Sequence, residues 1–202
     1  MKKRTFNMIE VVLAIGVVVV GMVSIMALFP IGANQLRDAA VDNYGSQAAE
    51  GMLNVFASHV RSSTANWTAF IGDSGTGNIV KSPAGGFNDA DRDNFDEASA
   101  TVLIFDPSIF RDGDYTHFKI LRYRDVDNSD SFTAGDTVEF SAIALLWKKP
   151  IRLGDPDPAA TGNITIPYDT GVVLNLEMSW PAELPYGARQ KCYYRREVFN
   201  PN

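Results

Sequence analysis

The run "VVLAIGVVVVGMVSIMALF", Val11 to Phe29, holds 19 consecutive residues without a charge. At a rise of about 1.5 Å per residue, a helix of that length comes close to spanning a hydrocarbon core of roughly 30 Å. Lipid offers the peptide groups no hydrogen-bond partner, so a segment that enters it must be helical. Lys2, Lys3 and Arg4 precede the run and predict a cytoplasmic N-terminus, with the remainder outside the inner membrane. The run is longer than the apolar core of a cleaved secretory signal, and its end, "MALFPIGANQ", lacks the small-residue cleavage pattern. One acid, Glu10, stands at its start. A carboxylate among hydrocarbon side chains costs about 2.5–3.5 kcal/mol on insertion scales, and a plain anchor gives it nothing to do.

Charge divides unevenly. Residues 1–36 carry three basic groups against one acid, net +2, which leaves 15 basic and 23 acidic residues, net −8, for the rest. An acidic body without a basic patch argues against nucleic-acid contact, because neutralising phosphate normally dominates that affinity. Cys192 is the sole cysteine and can form no internal disulfide. The length suits one modest domain beside the N-terminal segment.

"KKRTFNMIEVVLAIGVVVVG" resembles the N-terminal signal of type IV prepilins and type II secretion pseudopilins. That signal has a short basic leader, a cleavage point before Phe or Met, a Glu four residues later and then apolar sequence. Lys2 to Thr5 match the leader, Phe6 the first mature residue and Glu10 the acid. The similarity covers about the first 35 residues closely. It implies that a prepilin peptidase cuts between Thr5 and Phe6 and methylates the new amine, and that the helix then moves from the membrane into a filament core. A buried ammonium on Phe6 would need a partner, since a lone charge in a low dielectric costs far more than a paired one. Glu10 of a neighbouring subunit would supply it and set the axial register. Two positions depart from the family pattern. Thr5 stands where the family has Gly, and Asn7 replaces the usual small hydroxyl residue. A chain left uncut would remain an anchored protein.

Pro30, followed by Ile31 and Gly32, predicts a kink or local melting near residues 28–32. Beyond it, Leu36, Ala40, Tyr44, Ala48, Met52, Val55 or Phe56, and His59 recur every three or four residues, an amphipathic stripe expected to pack on a globular head. "SSTAN" at 62–66 is expected to end the helix. His59 reads as a core-edge residue. The expected organisation is a leader at 1–5, a transmembrane and filament-core helix at 6–32, an amphipathic half at 33–66 and a β-rich head at 67–202.

In the head, "TVLIFD" (101–106), "YTHFKILRYR" (115–124), "TVEFSAIALLW" (137–147), "GVVLNLEMSW" (171–180) and "KCYYRREVF" (191–199) read as strands, the second and third forming a hairpin across an acidic loop. Antiparallel strands after one long helix give an α+β class, with the helix covering one sheet face. This is also the pilin-like layout that the resemblance implies.

Three motifs bear on chemistry. "GDSG" at 72–75 has Ser74 where trypsin-like proteases carry their nucleophile, but His59 and His117 are the only histidines and neither has the required context. It reads as a flexible turn. In "DVDNSDSFTAGD", Asp125, Asp127, Ser129, Ser131 and Asp136 fall at positions 1, 3, 5, 7 and 12 of a calcium-loop pattern, with Asp130 where that pattern has glycine. The loop reads either as a Ca²⁺ site or as a solvated acidic turn that keeps a hairpin edge soluble. "NDADRDNFDE" (88–97), with Asp89, Asp91, Asp93 and Asp96 interrupted by Arg92, reads as a hydrated loop.

The resemblance and the residues together lead to one expectation: a non-enzymatic minor pilin or pseudopilin. Its partners would be other pilin-like subunits, the prepilin peptidase, an inner-membrane assembly platform and lipid. It would leave the bacterial inner membrane for an extracytoplasmic filament in the periplasm or at the cell surface. The alternative is a permanently membrane-anchored extracytoplasmic binding protein.

Overall fold

An uninterrupted apolar run and the amphipathic stretch after it form one continuous helix, despite Pro30 and the glycines within it. The computed structural model describes residues 7–72, 92, 93, 95, 98–103, 106–112, 117–129, 131–133, 135–154 and 164–201. Helix α1 extends over Met8–Arg61, 54 residues, with Pro30 inside it. The expected local melting at Pro30 is not seen, and the helical assignment continues through residues 28–32. The chain forms two compact units divided between Asn43 and Tyr44.

In the first unit, the apolar side chains from Met8 to Ile31 are exposed. The segment is long and apolar enough to cross a membrane. Ser24, its one hydroxyl, donates to the Val20 carbonyl at 2.8 Å, which hides the polar group against the helix's own backbone.

The second unit begins at Tyr44 and contains the last turns of α1. Its buried helical residues are Gly45, Ala49, Met52, Leu53, Phe56, Ala57 and Val60. This face is rotated by about one residue from the expected stripe, and Leu36, at the head of that stripe, is 75 % exposed. Gly45 and Ala49 are buried at the centre of the contact, while Tyr44 and Ala48 are half-buried at its edge. Helix α1 ends at Arg61, directly before the "SSTAN" stretch expected to stop it. Ser63 accepts the Asn66 N–H at 3.1 Å and caps a second helix, α2, at Thr64–Phe70.

Six antiparallel strands form the main sheet: β1 (Ala100–Leu103), β2 (Asp106–Asp112), β3 (His117–Arg124), β4 (Thr137–Lys149), β7 (Gly171–Trp180) and β8 (Gln190–Phe199), in that spatial order. Between β4 and β7 the chain makes a two-stranded excursion, β5 (Ile151–Leu153) with β6 (Ile164–Ile166). The class is therefore α+β, with the part of α1 from Tyr44 onward lying on an antiparallel sheet. The expected hairpin is present as β3 and β4. The stretch 101–106 contributes two strands, because β1 stops at Leu103 and Asp106 already pairs back in β2.

Phe118 meets Phe56 with ring centroids 5.3 Å apart, and Phe140 meets Tyr44 at 6.4 Å. Alternation along the strands then brings Ala142, Ala144 and Leu146 of β4, and Leu174, Leu176 and Met178 of β7, to the helix side, all without exposed surface. The intervening residues Ser141, Ile143, Leu145, Glu177 and Ser179 are buried too, so β4 and β7 at the centre of the sheet are covered on both faces, whereas β8 is largely exposed.

Candidate functional site

Two regions carry the sequence-predicted residues, and each lies within one unit. At the start of α1, the Asn7 carbonyl accepts the N–H groups of Glu10 and Val11 at 2.9 and 3.2 Å. Glu10 thus sits in the first helical turn, exposed, ahead of the uncharged run. A negative side chain there complements the helix dipole, a gain of about 0.3–1 kcal/mol, which is smaller than the desolvation cost of a carboxylate in lipid. Thr5 and Phe6 lie outside the described residues. Pro30 is exposed on the same helix.

In the second unit, residues 125–136 join β3 to β4. One carboxylate oxygen each from Asp125, Asp127 and Asp136 lies within 4.8 Å of the others. The loop's own donors hold these acids. Asp136 accepts the Val126 N–H at 2.9 Å through Oδ1 and the Thr133 N–H at 2.8 Å through Oδ2. Asp127 accepts the Ser129 N–H at 3.0 Å, and Asp125 accepts the same N–H at 3.3 Å. The Thr133 hydroxyl completes the set, 3.3 Å from Asp127 and 3.2 Å from Asp136. Hydrogen bonding holds both acids below the usual carboxylate value, chiefly through the Ser129 side chain for Asp127 and through the Val126 and Thr133 N–H groups for Asp136.

The fold therefore brings together the three carboxylates among the residues proposed as calcium ligands. Ser129 stands beside them, its N–H on Asp125 and Asp127, while its hydroxyl donates to the Ser131 carbonyl at 2.9 Å. Asn128 adopts φ of 55°, the left-handed conformation that Asn tolerates in tight turns. The chemistry is that of hard oxygen donors suited to Ca²⁺ or, equally, of a turn whose acids are satisfied by backbone donors.

The second acidic run is partly anchored rather than freely hydrated. Arg92 pairs with Glu177 of β7 at 3.2 Å, and Glu177 is 2 % exposed. Asp93 accepts the Tyr186 N–H and lies 3.7 Å from Arg189. The guanidinium of Arg189 also donates to the carbonyls of Leu184, Arg92 and Ala182. Burial and then Glu177 push the Tyr186 hydroxyl well above its ordinary value. This network ties the incoming segment to the sheet, and spacing alone gave no sign of it. Asp89, Asp91 and Asp96 lie outside the described residues, as does Ser74.

His59 is half-buried, its ring 4.9 Å from that of Phe70, as expected for a core-edge residue. His117 is buried in β3. Cys192 is half-buried in β8. Lys148 is fully buried at the end of β4, donating from Nζ to the Ile71 carbonyl at 2.5 Å with the Tyr168 ring 5.8 Å away. Burial lowers its pKa to about 8. Comparison with protein-family models, with curated proteins and with solved structures finds no match for this chain.

Proposed function

We propose that this chain is a type IV pilin-like subunit, a minor pilin or pseudopilin, cut before Phe6 by a prepilin peptidase and assembled through α1 into a pilus or secretion pseudopilus. The observation that carries the reading is Glu10, a single carboxylate in the first turn of a 54-residue helix whose following 19 residues are uncharged. An anchor needs the apolar run but has no use for the acid. A helical filament core needs both, the run for packing and the acid to meet the Phe6 ammonium of a neighbour. The helix continuing from an apolar half into turns that lie on an antiparallel sheet supports the same reading, since filament core and outward body then belong to one element. In this reading the chain has no catalysis of its own. It begins in the inner membrane with its N-terminus cytoplasmic and ends in an extracytoplasmic filament.

The permanently anchored binding protein is favoured by one observation, Thr5 at the position where the family has glycine. Intact-mass measurement with N-terminal sequencing of protein from its native membranes separates the two. A chain beginning at methylated Phe6 is the expected result. A chain retaining Met1 to Thr5 would overturn it in favour of the anchor.

A further inference from the structure

We draw no further inference here: the strongest candidate, the open, largely apolar groove between residues 44–55 of α1 and the β2–β4 side of the sheet, carries nothing because no feature of the structure shows what covers it.

Discussion

A Cβ placed on Gly45 of α1 would stand 3.2 Å from the indole ring of Trp180 at the end of β7. The ring cannot readily give way, because it is 2 % exposed and its Nε1 donates to Gln190 Oε1 at 2.9 Å. Gly45→Val adds two γ-carbons to a helix side that has room for none, and overpacking of this kind costs about 1–3 kcal/mol. Thermal unfolding of the full chain in detergent should show a lower midpoint, while an unchanged one would mean that α1 can shift away from Trp180.

The rotation of the buried helix face has its own test. Phe56→Ala removes a ring that is 1 % exposed and lies against Phe118, and should cost about 3–5 kcal/mol. Leu36→Ala, on the expected stripe but exposed, should stay within about 0.5 kcal/mol. Denaturant midpoints of the two variants measure the contrast.

Lys148 makes stability depend on alkaline pH. Its folded pKa is lowered from 10.5 to about 8, so between those values the unfolded chain binds more protons and stability rises with pH. Tyr186 and Tyr194, both raised by burial, act oppositely above pH 10, which confines the rise to pH 8–9.5 or so. Chemical denaturation at pH 7.5 and 9.5 should show the gain in the native chain. Lys148→Met should abolish it; at pH 7.5 the relieved charge desolvation and the lost bond to the Ile71 carbonyl act in opposite directions.

Asp136 gives the acidic loop a measurable signature. Its carboxylate bonds the Val126 and Thr133 N–H groups, so those amide proton shifts should titrate together, with a midpoint below 3.8. Whatever stability the carboxylate adds is present above pH 3.8 and is lost as pH falls through that lower midpoint. Asp136→Asn should abolish the titration. Calorimetric titration with CaCl₂ at neutral pH then distinguishes the two readings of the loop: saturable heat marks a cation site, and its absence marks a turn satisfied by its own backbone.

Glu10→Ala should leave membrane insertion intact, since it removes a cost of about 2.5–3.5 kcal/mol on insertion scales. Incorporation into filaments should fall to background, read by shearing and immunoblotting of the assembled fraction. Wild-type incorporation would remove the charge-pairing role.

The strands were legible where local chemistry and burial agree. "GVVLNLEMSW" is β7 residue for residue, because its apolar and β-branched run (Val172, Val173, Leu174, Leu176, Met178, Trp180) lies between a turn at 168–170 and Pro181. β2 escaped notice since "DPSIFRD" opens on Asp-Pro, a turn signal that an antiparallel return also uses. The helix face was legible at Met52 and Phe56, which lie on the expected stripe and are buried, whereas Gly45 seats against Trp180, a partner distant in the chain that no local period reveals. The three calcium-pattern acids were found from spacing, but Arg92 meeting Glu177 could not be: the pair joins residues 85 apart in the chain, and no local period encodes it. Lys148 was equally invisible, being a lysine like any other until the fold closes over it.

The order of strands also governs how the body is built. Each pairing in the main sheet joins strands adjacent in the chain, except where β5 and β6 intervene between β4 and β7. Such a meander can grow by short loop closures, which favour rapid assembly. The distant closure is that of the helix, where Ser46 meets Tyr194 across 148 residues. A nascent chain therefore makes its long apolar helix first and must wait for β8 before the end of α1 finds its complete seat.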